Sequence, residues 1–389
     1  MVYKSLLVTS GCTAYKEGYK RILHITHNDG DAVGCALVVD MIEDAISDTF
    51  FCATGNGVDS ASDVLMDVLS NNTDVRKYTD VIISDVSIRD DVAERVDEYC
   101  RVNHINLMMV DHHPTNKLHE KYSWVHMSQP INGVPVSAAV TLAQLLNNET
   151  CLQFKYYHTL VDFIADTPNL TTTQLKFTVN QIYSYIITTI SRYDTWEWKN
   201  HPWEGNREDY VSIMLNSHTP IQVLDHIEVY CIKKQLPYSN EMEKLSDEYH
   251  RAIENKFNGL MIDKLIVPMK FHGYNTQTYI GMDGRSNINS IKEKLLCHDD
   301  DTQIVMYIDL VARKIELRSN SDDVPVNTIA VHYGGGGHVR AAGASNIPAR
   351  VFTEDILTKY YKYRDFYINK PLDEPDFNME VKCVWQEVD

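Results

Sequence analysis

The chain has 389 residues, more than twice the length of a typical single domain, with 44% hydrophobic and 23% charged residues. The composition excludes a disordered or fibrous protein, and the length predicts two folded domains. The formal net charge of −18 argues against a protein that binds long duplex nucleic acid, because an acidic surface repels phosphate backbones.

The N-terminal segment lacks the apolar core of a secretion signal, and no stretch approaches the ~18 to 20 apolar residues of a membrane span. Eight cysteines are spread along the chain without any C-x-x-C pair, which argues against zinc ribbons and thioredoxin-type redox motifs. They are Cys12, Cys35, Cys52, Cys100, Cys151, Cys231, Cys297 and Cys383. These features predict a soluble cytoplasmic protein with free thiols and no membrane partner.

Between residues 21 and 111, short β-rich runs alternate with helical stretches. In chain order these segments are ILHITH, AVGCALVVDMIEDAI, FFCAT, VDSASDVLMDVLSNN, DVIISD, DDVAERVDEYCRVN and INLMMVD. Such alternation predicts right-handed βαβ units and a parallel sheet with helices on both faces. Residues 137–192 are predicted to be helices that complete this first domain, with Ser137 as the first N-cap.

The rest of the chain predicts a connector and a second domain. The charge-mixed region that follows contains the long helical pattern EMEKLSDEYHRAIENKF. Beyond it, strand-like runs occur at TYIGM, QIVMYID and KIELRS, with the helical stretch NINSIKEKLL after the first, and the tail is acidic. We therefore predict an α/β protein with a first domain at 1–200, a helical connector at 201–264 and a smaller α/β domain at 265–389.

Three predicted strands of the first domain end in carboxylates and imidazoles. The residues are His27, Asp29 and Asp31 after the first strand, Asp85 after VIISD, and Asp111, His112 and His113 after INLMMV. Ligands of open parallel sheets lie at the carboxyl ends of the strands, and carboxylates crowded there repel one another unless a cation neutralises them. Mixed imidazole and carboxylate ligands suit Mn²⁺, Fe²⁺ or Zn²⁺, and their number predicts two metals that share a carboxylate, with Mn²⁺ as the first choice.

Each motif also has a purely structural explanation. HNDGD could be a turn that caps the following helix, the carboxylate after VIISD could be an N-cap, and the DHH run could be a satisfied polar turn. An EF-hand is excluded, because counting from Asp29 places Val33 at position 5 and Asp40 at position 12, where an oxygen ligand and a glutamate are needed. His24 lies three residues before His27 on one strand, points to the opposite face and is predicted to be a core histidine.

A glycine run, Gly334 to Gly337, precedes His338. It matches neither a P-loop nor G-x-G-x-x-G. It could be a flexible loop, or a nest of backbone N–H groups that approaches an anion, with His338 and a nearby arginine adding charge.

Taken together, THNDGDAVGC, ISDVS, VDHHP, YDTW and GGGGHVRAAGA resemble the successive motifs of the DHH phosphoesterase family with its DHH-associated C-terminal domain. The resemblance covers residues 22–345. It implies two α/β domains that face each other across a cleft, with a dinuclear Mn²⁺ centre (or Mg²⁺ or another divalent metal) on the first domain and substrate recognition on the second.

Matched by motif, the family pattern also implies roles for individual residues. The implied ligands are His27, Asp29 and Asp85 for one metal, and Asp31, Asp85, His112 and Asp194 for the other. Asp85 would bridge the two metals, Asp111 would orient His112, and His113 would face the substrate phosphate or the leaving group. Many family members with small substrates have three residues between the first histidine and the first aspartate. Here a single residue separates His27 from Asp29, and this shorter spacing, together with Asp194 inside YDTW, resembles another branch of the family.

In the second domain, the stretch LRSNSDDVPVNTIAVHYGGGGHVRAAG resembles the part of the family that grips the nucleotide. The candidates implied for substrate binding are Arg318, Ser319, Gly336, Gly337 and His338, with Arg285 and Ser286 from GRSNINS. Alternatively, Arg318 and Arg285 could be ordinary surface residues.

The activity implied is hydrolysis of a phosphoester, in which a water or hydroxide between the metals attacks phosphorus in line. The acidic surface argues against long nucleic acids and favours short oligonucleotides, cyclic or linear dinucleotides, or mononucleotide bisphosphates such as pAp. Hydrolysis of short oligonucleotides from an end is the first expectation among these. Pyrophosphate or polyphosphate hydrolysis is less expected, because family members of that kind lack the glycine-rich loop. A nucleotide-binding sensor without activity is disfavoured by the full ligand set, and a homodimer is among the expected assemblies.

Overall fold

A computed structural model describes most of the chain. The described residues are 2–4, 20–42, 45–53, 60–71, 78–113, 116–148, 179–195, 197, 209–234, 236–262, 265–281, 288, 290–292, 295 and 301–369. Two candidate residues, Arg285 and Ser286, lie outside these ranges, as does the acidic tail beyond residue 369. The chain divides into two compact units, Met1–Asp247 and Glu248–Asp389.

The first unit contains a six-stranded sheet. Its strands are β1 (Val2–Lys4), β2 (Lys20–Thr26), β3 (Ala45–Phe51), β4 (Asp80–Ser84), β5 (Asn106–Asp111) and β6 (Val125–Met127), in the spatial order β1-β3-β2-β4-β5-β6. β1 pairs antiparallel with β3, and all other pairs are parallel. The prediction of an α/β fold with an N-terminal parallel sheet is therefore confirmed.

Helices cover both faces of this sheet. In chain order they are α1 (Gly30–Asp40), α2 (Ala61–Asn71), α3 (Asp90–Asn103), α4 (Ala138–Asn148), α5 (Val179–Asp194), α6 (Tyr210–Met214) and α7 (Pro220–His226), which continues as a π-helix at Ile227–Ile232. The strand residues alternate between two cores: Leu23 and Ile83 pack with Val96 of α3, whereas Ile22 and Ile82 pack with Leu142 of α4. Successive residues of one strand thus point to opposite faces, and both faces of the sheet are buried.

The start of β3 corrects one expectation from the sequence. AVGCALVVDMIEDAI was predicted to be helical throughout, but α1 ends at Asp40 and β3 begins at Ala45. Ser47 and Asp48 are buried in β3, where the hydroxyl of Ser47 donates to Asp40 and the hydroxyl of Tyr78 donates to Asp48. Because buried positions of this strand carry polar side chains, the hydrophobic alternation that identifies a strand is hidden.

The second unit contains another six-stranded sheet. Its strands are β7 (Val267–Phe271), β8 (Tyr274–Gly281), β9 (Ile304–Asp309), β10 (Lys314–Ser319), β11 (Gly336–His338) and β12 (Ala341–Ala344), in the order β11-β12-β10-β9-β8-β7. Only β8 and β9 pair in parallel. The helices are α8 (Asn240–Ile262), which contains the division between the units, α9 (Val326–His332), α10 (Ala349–Val351), a π-helix at Phe352–Leu357, and α11 (Thr358–Asn369).

The glycine run forms part of this second sheet. Gly336–His338 is strand β11, not the flexible loop considered from the sequence. A Cβ atom at Gly335 would lie 2.0 Å from the carbonyl oxygen of Gly343, and Gly337 has a φ of +132°. Glycine therefore allows the close approach of these two chain segments.

Gly34 marks a close contact between helices of the first unit and gives a prediction about stability. A Cβ atom there would lie 2.9 Å from Cβ of Ala139 on α4 and 3.4 Å from Cγ2 of Ile190 on α5. Gly34→Val should therefore lower the free energy of unfolding by about 2 kcal/mol, as overpacked cores do. Urea denaturation measures this change. The matched variant Gly259→Val lies in α8, where an added Cβ meets no atom within 4 Å, and should change stability by less than about 0.5 kcal/mol. Equal effects of the two substitutions would contradict the packing argument.

His24 is fully buried, which confirms its prediction as a core histidine. Within the described ranges, Cys35, Cys52, Cys100 and Cys231 are free and buried. Across the same ranges, no helix is both long and apolar enough to cross a bilayer.

Candidate metal centre

Three neighbouring strands deliver polar side chains to one edge of the first sheet. His27 follows the last residue of β2, Asp85 follows the last residue of β4, and Asp111 is the last residue of β5. β4 lies between β2 and β5, and all three run in parallel, so their carboxyl ends share an edge. The structure thus brings together the strand ends that the sequence singled out.

The first group of side chains surrounds His27. Its Nδ1 lies 2.7 Å from Oδ2 of Asp29 and 3.9 Å from Oδ2 of Asp85. Asp29 is also the N-cap of α1, since its Oδ1 accepts the backbone N–H of Ala32 at 3.1 Å. The capping explanation and the ligand explanation are therefore compatible: the cap fixes one carboxylate oxygen and the other faces His27. One ligand atom from each of His27, Asp29 and Asp85 lies within 4.8 Å of the others, close enough to hold one metal ion.

The second group shares Asp85 and adds Asp31 and His112, again with ligand atoms within 4.8 Å. Both oxygens of Asp31 accept backbone N–H groups from the start of α4, Oδ2 from Ala138 at 2.8 Å and Oδ1 from Ala139 at 3.2 Å. These bonds fix the buried carboxylate, and each oxygen keeps a further lone pair.

Asp194 joins this second group through His112. Nε2 of His112 lies 3.3 Å from Oδ1 of Asp85 and 3.3 Å from Oδ2 of Asp194, the last residue of α5. All six predicted metal ligands therefore lie at one edge of the first unit.

Asp85 is the centre of both groups and is held in an unusual way. It is 1% exposed and has a φ of +55°, a left-handed conformation that is uncommon outside glycine. Within the described part of the chain, no group donates a hydrogen bond to either carboxylate oxygen of Asp85 or to Oδ2 of Asp194. Such orphaned oxygens are costly when buried, and a divalent cation would satisfy them.

The charges of the site point to the same need for a cation. Burial, and then the negative charges of Asp29, Asp31 and Asp194, raise the pKa of Asp85 well above its usual range. Burial likewise raises the pKa of Asp194 to about 7, although His112 opposes the rise. Metal ions would remove this repulsion, and the mixed imidazole and carboxylate donors fit a divalent transition metal.

Asp111 and His113 form a pair beside the predicted metal ligands. Nδ1 of His113 lies 2.7 Å from Oδ1 of Asp111, and the same oxygen accepts the backbone N–H groups of His112 and His113. Burial alone would lower the pKa of His113, but the hydrogen bond and charge of Asp111, with Asp194 and Asp29, raise it to about 9. The side-chain ring held by this carboxylate is therefore that of His113, and a cationic form is favoured at neutral pH.

Asn116 is a residue of this region that the sequence analysis did not single out. It is 1% exposed, and its Nδ2 donates to Oδ2 of Asp111 at 2.8 Å. Its backbone N–H donates to the carbonyl oxygen of His113 at 3.0 Å. In the sequence, the only indication of this contact is that a polar residue closely follows VDHHP.

The second unit places the remaining candidates on β10 and β11. Arg318 and His338 both pair with Ala341 of β12, so these side chains share one face of the sheet. Ser319 points to the opposite face and is 1% exposed, and its hydroxyl donates to the carbonyl oxygen of Val324 at 2.9 Å. Arg318 and His338 are therefore the better-placed candidates for a ligand.

The sequence of this chain is distantly similar to that of a curated protein. No protein-family model matches the chain. Over 326 residues, 82% of this chain and 71% of the relative, it is 21% identical to the oligoribonuclease NrnB of Bacillus subtilis (strain 168).

The chain is also similar to two solved structures. One is a pGpG-specific phosphodiesterase, PggH, from Vibrio cholerae, with 13% identity and a TM-score of 0.38 over 88% of this chain and 99% of that one. The other is an exopolyphosphatase-related protein from Bacteroides fragilis, with 14% identity and a TM-score of 0.45 over 90% of this chain and 94% of that one.

A divalent metal should stabilise the metal-free protein, because it would neutralise carboxylates that repel one another. At a concentration of about 100 times its Kd, a ligand of the folded state adds about 2.7 kcal/mol. This gain corresponds to a rise in unfolding temperature of roughly 5 to 10 °C for a domain of this size. Calorimetry of chelator-treated protein with and without MnCl₂ measures the shift, and identical unfolding temperatures would argue against a metal centre.

Proposed function

We propose that the chain is a DHH-type, metal-dependent phosphoesterase that hydrolyses the phosphoester bonds of short oligonucleotides or small nucleotides. The observation that carries the proposal is the position of Asp85, whose two orphaned, buried oxygens face two groups of His and Asp ligands. A carboxylate of this kind suits a bridge between two metal ions. Two-metal sites are a common solution for in-line displacement at phosphorus.

The proposed cofactor is a pair of Mn²⁺ ions, with Mg²⁺ or another divalent metal as the alternative. One ion would be held by His27, Asp29 and Asp85, and the other by Asp31, Asp85, His112 and Asp194. When bound, such ions lower the pKa of a coordinated water and neutralise charge on a phosphate. The chain's own part is to fix the ligands, and Asp29 and Asp31 are already fixed by backbone N–H groups.

His113 is the proposed catalytic side chain. The charge of Asp111 favours its protonated form, so at neutral pH it can contact the scissile phosphate as a cation or give a proton to the leaving oxygen. Asp111 has no proton to give. Its role is to hold the His113 ring by its Nδ1 side, so that Nε2 is the atom that faces the reaction.

Short substrates are proposed over long ones. The net charge of −18 repels a long phosphate backbone, and the relative with 21% identity is named an oligoribonuclease. We further propose that Arg318 and His338, on one face of the second sheet, bind substrate phosphate or base together with Gly336 and Gly337. The buried hydroxyl of Ser319 is committed to Val324, which leaves it a supporting role.

The wider organisation follows from the same proposal. We propose a catalytic domain at 1–200, a connector at 201–264 and a substrate-binding domain at 265–389. A reducing cytoplasm is the proposed location, where the free thiols of Cys35, Cys52, Cys100 and Cys231 stay reduced.

Product analysis tests this function. The purified, Mn²⁺-loaded chain is given 5′-phosphorylated di- to decanucleotides, pAp, cyclic dinucleotides and pyrophosphate in parallel, and products are separated by chromatography. We expect mononucleotides from the oligonucleotides, with a preference for the shortest. Product from pyrophosphate alone would overturn the substrate class, and saturable nucleotide binding without any product would favour a sensor.

A further inference from the structure

A cluster of buried polar side chains lies on the neighbouring strands β3, β2 and β4. Two of its members directly precede proposed metal ligands in the sequence. His24, Thr26, Thr49 and Ser84 are each 0% exposed. Thr26 directly precedes His27, and Ser84 directly precedes Asp85. Polar groups at the centre of a sheet are costly unless every donor and acceptor is used, so their presence calls for a physical reason.

Hydrogen bonds connect the four side chains of this cluster with one another. The hydroxyl of Thr26 donates to the carbonyl oxygen of Ser84 at 3.0 Å, and the hydroxyl of Ser84 donates to Oγ1 of Thr26 at 3.0 Å. Oγ of Ser84 also lies 2.8 Å from Nε2 of His24, and Nδ1 of His24 lies 3.2 Å from Oγ1 of Thr49, so both ring nitrogens have a hydrogen-bond partner. Burial lowers the pKa of His24 to about 3, so the ring is neutral and has one donor and one acceptor nitrogen.

The hydrogen bonds of this cluster lead to the peptide group that joins Ser84 to Asp85. Its carbonyl oxygen accepts from Thr26 on β2, and its N–H donates to the carbonyl oxygen of Val110 on β5 at 2.9 Å. The peptide plane is therefore held from both sides. The next rotation along the backbone is φ of Asp85, which has the left-handed value of +55°.

We infer that His24, Thr26 and Ser84 are positioning residues that clamp the Ser84–Asp85 peptide and so aim the Asp85 carboxylate at both ligand groups. A left-handed aspartate persists only where its surroundings fix it, and this clamp is what fixes it. The inference deepens the proposed function and rests on it for the role of Asp85 as a metal ligand.

Paired substitutions at Thr26 separate the hydroxyl from the shape of the side chain. Thr26→Val keeps the shape and removes the donor to Ser84, whereas Thr26→Ser keeps the donor and removes a methyl group. Ser84→Ala disconnects His24 from the peptide. Ile83→Val is the matched packing control, because Ile83 is fully buried on the same strand and contributes only to the apolar core.

Two measurements on the full chain decide the matter. Crystal structures of the metal-free variants report φ of Asp85, and calorimetric titration with MnCl₂ reports metal affinity. We expect Asp85 to leave the left-handed region in Thr26→Val, and Mn²⁺ affinity to fall about 10- to 100-fold there and in Ser84→Ala, as losses behind metal ligands typically do. Thr26→Ser and Ile83→Val should stay within about threefold of the natural chain, since neither removes a polar partner.

An Asp85 that keeps its conformation in Thr26→Val, with Mn²⁺ affinity no lower than in Ile83→Val, would overturn the inference. The measurement of φ at Asp85 needs no bound metal. If the natural chain binds no Mn²⁺, the proposed function fails, and the conformation of Asp85 in Thr26→Val alone decides whether the clamp exists.

Discussion

Asp85→Asn is expected to abolish metal binding and hydrolysis together while making the metal-free protein more stable. Asparagine keeps the shape of the side chain but removes the charge that both ligand groups share. Loss of partners behind a metal ligand costs about 10- to 100-fold, so loss of a shared ligand should lower kcat/KM by at least about 1000-fold. Titration with MnCl₂ and a hydrolysis assay measure the two losses.

The stability gain has the same cause. Without metal, Asp85 is buried among Asp29, Asp31 and Asp194, and removing its charge relieves their repulsion. The unfolding temperature of metal-free Asp85→Asn should rise by about 2 °C or more, the change expected for 1 kcal/mol. Asp48→Asn is the matched control, since Asp48 is also a buried acid of this sheet but accepts from Tyr78 outside the site. An active, metal-binding Asp85→Asn would refute the assignment.

Asp111→Asn is expected to lower kcat about 100-fold and to change Mn²⁺ affinity much less, because the Asp111 carboxylate bonds the ring of His113 but contacts His112 through its backbone N–H. Burial lowers the pKa of His113, and the carboxylate of Asp111 is the main cause of its net rise to about 9. With the neutral amide, burial remains and only the charges of Asp194 and Asp29 oppose it, so the pKa of His113 should fall.

The direction of the pH dependence follows from this fall. A histidine is cationic below its pKa, so His113 of the metal-free natural chain stays protonated to a higher pH than His113 of the variant. The loss of kcat should therefore be larger at pH 8 than at pH 6, and NMR titration of the metal-free proteins should show the fall in pKa. Asp309→Asn is the control, because the Asp309 carboxylate accepts two backbone N–H groups in the second unit. An equal loss at both pH values would contradict a role for the His113 proton.

The candidate site was largely predictable because it depends on strand order. Parallel strands bring their carboxyl ends to one edge, so polar residues directly after apolar runs had to meet if those strands were neighbours. His27, Asp85 and His112 follow this rule. Asp194 lies far along the chain at the end of a helix, and only the resemblance of YDTW to a family motif pointed to it.

The details that the sequence could not give are those that depend on direction and register. The left-handed backbone of Asp85, the ring of His113 as the partner of Asp111, and the carboxylate contact of Asn116 all arise from tertiary hydrogen bonds with no periodic signal. In the second unit, the hydroxyl of Ser319 is bonded to the carbonyl oxygen of Val324, a tertiary contact of the same kind. Buried polar residues of β3 hid the start of that strand for a similar reason.

Anomalous diffraction from a crystal soaked in MnCl₂ tests the central claim most directly. We expect two manganese peaks, both within coordination distance of Asp85, one beside His27 and Asp29 and the other beside His112 and Asp194. The same soak of Asp85→Asn should leave both positions empty. A crystal of the natural chain with no peak next to Asp85, at a Mn²⁺ concentration that supports hydrolysis, would contradict the account.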